Sequence, residues 1–220
     1  MKIQNMYNSF IFRFFEGLYH LVLTNMLFIL TFIAGLGLFS YLPAMVILVL
    51  AIKSRNEATE YSLVKTWMKN VKAHGWTVFK LSLFFTGVSL IAAFDTMYFY
   101  LLMQEEATLY YEVLFYVFLV IDVLVFVTII NAAFVYVYFP HLGYKKIIKH
   151  SFGLLRLIPL EALIVIVGLL LGITFFYVFP FALVFIWFSL VFSIFHKAVR
   201  KKYERLMSEE VRPRSFTDVY

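Results

Sequence analysis

Read for apolar periodicity, the chain divides into long hydrophobic runs separated by two short basic segments. The first run extends from Leu18 to Ile52 and is interrupted only by GLGLFSYLP (Gly35 to Pro43), where two glycines, Ser40 and a proline mark a turn or break. About 35 residues are too many for one span of about 20. A single span plus a half-helix would leave the N-terminus outside the membrane, whereas a tight hairpin of two short spans would bring it inside. The hairpin is favoured, because Pro43 can open a new helix. Ahead of this run, Lys2 and Arg13 among Phe10, Ile11, Phe12, Phe14 and Phe15 predict an amphipathic lead-in on the membrane surface.

Trp76 to Met103 and Leu109 to Phe139 are each longer than a bilayer needs and predict two tilted or extended spans. Gln104, Glu105 and Glu106 between them carry no Lys or Arg, as an outer loop should, and Tyr110, Tyr111 and Tyr116 fit an aromatic belt. Leu160 to Phe195 is long enough for two short spans turning at Tyr177 to Phe181, around Pro180. Pro159 and Glu161 favour the helix start.

The basic segments set the orientation. In Lys53 to Lys80 the residues Leu63, Val64, Trp67, Met68 and Val71 recur at helical spacing, with Lys65, Lys69 and Lys72 opposite. In 141–158 the residues Lys145, Lys149 and Arg156 share one face and Ile148, Phe152 and Leu155 another. Both predict interfacial helices, and with Arg200, Lys201 and Lys202 of the tail they are placed on the cytoplasmic side. The fold expected is therefore all-α: a polytopic transmembrane bundle of five to six spans with two cytoplasmic interfacial amphipathic helices. Residues 1–205 form a single transmembrane domain, and 206–220 a disordered cytoplasmic tail. Pro43–Met103 and Leu109–Tyr177 share a rhythm of apolar span, basic helix and apolar span, which either marks an internal repeat or follows from topology alone.

Composition sharpens this picture. The chain is 63% hydrophobic, 20% aromatic and only 15% charged, with a mean hydropathy of +0.89, against about 45–50% apolar and about 25% charged in soluble proteins. The formal charge of +6 sits beside apolar segments, where it meets anionic lipid, so nucleic acid is not an expected partner. With no cysteine, disulfides, thiolate metal sites and thiol catalysis are excluded. A cleaved signal peptide is not expected, since no A-x-A-like site follows the first apolar run.

Few polar groups lie at membrane depth. Asp95, Asp122 and Asn131 are the candidates, with His20 and Asn25 near the first span. A central aspartate costs about 2.5–3.5 kcal/mol on the insertion scale and so faces protein, water or a partner. No Lys or Arg shares its depth. Either a proton or cation site or an interhelical hydrogen bond fits Asp122, and interhelical bonding fits Asn131. The Phe-rich stretch of Phe175, Phe176, Phe179, Phe181, Phe185, Phe188, Phe192 and Phe195 suits lipid and helix contacts. The histidines form neither H-x-x-x-H nor H-E-x-x-H, and there is no phosphate-cradling glycine loop or G-x-S-x-G, so neither enzyme activity nor a cofactor nor a metal is expected.

The segment LTNMLFIL with Asn25, the pair Pro43-Ala44 opening a helix, Lys69-Asn70, and Tyr138-Phe139-Pro140 before the second basic segment resemble the YesL-like family. This is a family of small bacterial integral membrane proteins classed as a domain of unknown function. The chain departs from it at Ser40-Tyr41-Leu42, where the family has threonine and glycine, and at Trp67, where phenylalanine is usual. The resemblance implies a bacterial cytoplasmic membrane and a place beside carbohydrate ABC importers and polysaccharide-use enzymes. Two functions are then open. One is an accessory or scaffold protein that holds an importer subunit through its surface helices, with Leu63, Trp67, Met68 and Val71 as docking residues. The other is a small solute transporter with a site near Asp95 and Asp122.

Overall fold

The structure is a computed structural model that describes residues 10–57, 63–106, 108–139, 141–179 and 183–211. Among these residues all regular structure is helical. The elements are α1 (Phe10–Ala34), a 3-10 turn (Gly37–Phe39), α2 (Tyr41–Glu57), α3 (Leu63–Glu105), α4 (Leu109–Tyr138), α5 (Tyr144–Leu155), α6 (Pro159–Val178), a π-helical turn (Leu183–Trp187) and α7 (Phe188–Val211).

The Gly35 to Pro43 break produces two helices. Leu36 and Gly37 both take left-handed backbone, and Ser40 closes the turn by donating its hydroxyl to the Phe32 carbonyl at 2.6 Å. At the other end Ile52 of α2 meets Gly17 and Leu18 of α1 across a shared cleft, so the two helices run antiparallel as a hairpin. None of the described side chains from Tyr41 to Ser54 is exposed. A helix apolar all round belongs in an interior, and α2 is the centre of this bundle. The second half of α4, Val127–Phe139, is equally buried and lies against it, with Ala132 and Ala133 allowing close approach. Val78, Leu81 and Phe85 of α3 and Phe192, Phe195 and Val199 of α7 complete the core.

No proline falls between Leu63 and Glu105, and α3 runs unbroken for 43 residues, about 65 Å. From Leu63 on, the first basic segment is thus the beginning of a long helix instead of a separate surface helix, while Lys53 belongs to α2. In the second half Pro159 at the first turn of α6 denies the chain a continuous helix, and α5 and α6 are bent by 93° to each other. Toward the loop that joins them α3 and α4 pair through their aromatic rings: Phe99 stacks on Phe118 at 5.0 Å, and Tyr100 lies 5.7 Å from Phe115.

Among the described residues three helices are long and apolar enough to cross a membrane, Phe14–Ala34, Leu63–Glu105 and Leu109–Tyr138, or four if the bent pair is one span. The chain has several apolar helices compatible with a multi-pass membrane protein. The α7 helix continues through Val211, into the stretch read as a disordered tail. Lys2, Pro140, Pro180, Phe181 and residues 212–220 lie outside the described residues, as does the side chain of Phe176.

Candidate functional site

Buried polar groups gather at the end of the bundle that carries Lys53 and the basic part of α7. Asn131 is fully enclosed, and an amide there must have partners for both its ends. Its Nδ2 donates to the Ser151 carbonyl of α5 at 2.6 Å, and its Oδ1 accepts the Tyr203 hydroxyl of α7. Ser151 disposes of its own hydroxyl by donating to the Ile147 carbonyl at 2.6 Å. Two turns along α4, the Tyr138 hydroxyl lies 2.9 Å from His196 Nε2, and the Lys53 ammonium sits over the Tyr138 ring at 4.9 Å. Phe134 fills the space between them, 4.8 Å from the Phe195 ring. One network thereby joins α2, α4, α5 and α7. Burial pushes the Tyr203 phenol up and the His196 imidazole, just past the last apolar run, down to about 4.

A second polar contact lies between α3 and α4, nearer the loop that joins them. Thr96 Oγ1 donates to Asp122 Oδ2 at 2.6 Å, linking α3 to α4. Asp122 also borders an open lateral groove of about 390 Å³, lined by Ser89, Ala93 and Phe126 and by Ile166 and Leu170 of α6. Asp95, one position before Thr96, is half-buried and takes no part in that bond.

A third contact ties the first helix to the last. The Ser189 N–H, at the start of α7, donates to Asn25 Oδ1 at 2.9 Å, and the Ser189 hydroxyl donates to the Leu21 carbonyl at 2.7 Å. Where the π-helical turn passes into α7 the backbone ladder changes register, and Asn25 supplies an acceptor for the Ser189 N–H from a neighbouring helix. Close by, Gly168 and Gly172 of α6 make a seat for Trp187, whose indole N–H donates to the Gly168 carbonyl at 3.1 Å. A Cβ on Gly172 would run into that indole.

The docking residues read from the sequence separate here. Leu63 is buried; Trp67 is half-buried and donates its indole N–H to Thr31 Oγ1 at 3.0 Å; Val71 is half-buried. Met68 and its neighbour Val64 remain outward, 45% and 48% exposed. The lysines Lys65, Lys69, Lys72, Lys145, Lys149 and Lys201 and Arg156 are exposed, while Arg200 pairs with Glu204 at 2.6 Å. Lys202 is exposed but reaches Glu161 at 2.5 Å, joining α7 to the first turn of α6. On α5 the buried positions are Ile147 and Ser151, and Phe152 points outward, so the face expected to be apolar is rotated. The Phe-rich stretch also divides: Phe192 and Phe195 are core, whereas Phe175 and Phe179 are exposed. Sequence reasoning missed Tyr138, His196 and Tyr203, although large polar aromatics at helical spacing beside an apolar run were a usable signal.

Among the described residues no group of three or more His, Asp or Glu could hold a metal ion. The fold and these contacts define an all-helical protein with several apolar helices of membrane-crossing length, in which Asn25, Asn131 and Asp122 join helix to helix. Comparison with protein-family models, with the curated proteins and with the solved structures returned no match.

Proposed function

We propose that the chain is an accessory or scaffold protein of a bacterial cytoplasmic membrane, with no chemistry of its own. In this reading α1, α2, α3, α4, α6 and the apolar stretch that ends at Phe195 cross as six spans, and the basic segments and both termini face the cytoplasm. The observation that carries it is the use made of the polar groups at depth: Asn25, Asn131 and Asp122 are each engaged in bonds between helices. Such groups hold a bundle together and offer no chain of sites to a moving solute. The outward Met68 and Val64, flanked by exposed lysines, are the docking surface. The resemblance to the YesL-like family supplies the partner class, a subunit of a carbohydrate ABC importer. Extraction in mild detergent followed by identification of co-purifying proteins tests the proposal; enrichment of an importer subunit supports it, and recovery of the chain alone argues against it.

One observation favours a second reading, a small solute transporter: Asp122 borders an open groove. Reconstituted vesicles distinguish the two. Uptake by the natural chain that Asp122→Asn abolishes would establish the transporter, and no uptake by either leaves the scaffold.

A further inference from the structure

A cleft lies between the first half of α1 and α7, where the apolar run of α7 gives way to its basic part. It has a volume of about 540 Å³ and is open on one side. Its lining changes character with position: Leu21 and Ile194 are apolar, while His20, Ser193, His196 and Lys197 bring two imidazoles, a hydroxyl and an ammonium. Among the described residues no carboxylate lines it. Glu16 is exposed on the outside of α1, and Glu204, one helical stretch further along α7, is paired with Arg200. The Lys197 side chain is exposed and lines the cleft. Beside the mouth α1 turns Ile11, Phe14 and Phe15 outward, each more than half exposed. Such residues suit acyl chains at an interface.

A cleft with hydrogen-bond donors and one unopposed cation at its rim, apolar walls and aromatic flanks matches an amphiphile with an anionic head. We propose that it holds the phosphate headgroup of an anionic phospholipid, with Lys197 as the charged contact and Leu21 and Ile194 against the upper part of an acyl chain. A free phosphate shares the headgroup chemistry but has no use for the apolar walls. A single lysine also gives it little to hold. The rest of the lipid would lie along the exposed apolar exterior of α1.

The test uses the full chain, delipidated in neutral detergent and titrated separately with phosphatidylglycerol, phosphatidylcholine and glycerol phosphate, with bound molecules counted by native mass spectrometry. Phosphatidylglycerol is expected to bind about fivefold more tightly than phosphatidylcholine, the contribution of about one basic residue at an anionic surface. Lys197→Gln should erase that preference and Lys197→Arg restore it. Ile194→Trp, which fills the apolar wall, should weaken phosphatidylglycerol itself, and Lys145→Gln, on the exposed face of α5, should change nothing. Unfolding temperatures confirm that each variant is folded. Equal binding of the two lipids to the natural chain, or a loss in Lys145→Gln as large as in Lys197→Gln, would overturn the proposal. Glycerol phosphate binding as well as the lipid, and indifferent to Ile194→Trp, would overturn the lipid in favour of a small soluble phosphate.

Discussion

Asn25 Oδ1 accepts the Ser189 backbone N–H at 2.9 Å, a bond between residues 164 positions apart that fastens α1 to the start of α7. Both groups are buried, so losing the acceptor strands a donor away from water. Asn25→Ala is expected to cost about 1–3 kcal/mol, the desolvation of one unpaired buried group. Ser189→Ala keeps the N–H and forfeits only the hydroxyl's contacts with the Leu21 and Ile186 carbonyls, so it should cost about 1 kcal/mol. Denaturation of both variants in the same detergent gives the ranking, and a larger loss in Ser189→Ala would contradict it.

His196 makes stability depend on pH. Burial is the main cause of its pKa of about 4, Arg200 and Lys53 lower it further, and Glu204 opposes them. In the unfolded chain the group titrates near 6.5, so between 6.5 and 4 the unfolded state binds more protons. The stability contributed by the neutral imidazole is complete above pH 6.5 and is lost as pH falls toward 4. Between pH 7.5 and 5 this amounts to about 2 kcal/mol. His196→Gln should flatten that part of the profile when melting is followed against pH.

Trp67 and Met68 are adjacent and should fail differently. Trp67→Phe removes the N–H that meets Thr31 and should lower the unfolding temperature, by about 1 kcal/mol in free-energy terms. Met68→Glu changes an outward side chain and should leave the melt unchanged while reducing recovery of a docked partner. Measuring melting and co-purification on both variants checks the split; loss of partner from Trp67→Phe alone, with Met68→Glu neutral, would move the docking surface elsewhere.

Because the chain has no cysteine, single introduced cysteines report sidedness directly. A cysteine at Thr108 should react with an impermeant reagent from outside, and cysteines at Asn5 and Lys201 only after permeabilisation. Reaction at Asn5 from outside would contradict the six-span topology.

Helix boundaries were the most legible part of the sequence, because prolines and glycines act locally. The Gly35 to Pro43 turn and the start of α6 at Pro159 lie where those residues put them. That Asp122 and Asn131 would need partners followed from their depth alone. The identity of those partners did not, since Tyr203 is 72 positions from Asn131 and sits in a run whose basic charges pointed only to the cytoplasmic side. The buried face of α5 was hidden for the same reason. Asn131 reaches for the Ser151 carbonyl, and that bond turns Ile147 inward and Phe152 out. Local periodicity could not choose between adjacent apolar faces.

The enclosure of α2 bears on how the protein is assembled. Its neighbours α4 and α7 are encoded more than fifty and more than a hundred residues downstream, so during synthesis the α1–α2 hairpin precedes most of its own surroundings. In the six-span reading, until they arrive lipid covers the faces of α2 that α1 and α3 leave open. The later helices then displace acyl chains instead of water. Closure of the bundle therefore gains little from the hydrophobic effect, and depends on shape, on alanines that let backbones approach, and on the few polar bonds that lipid cannot make.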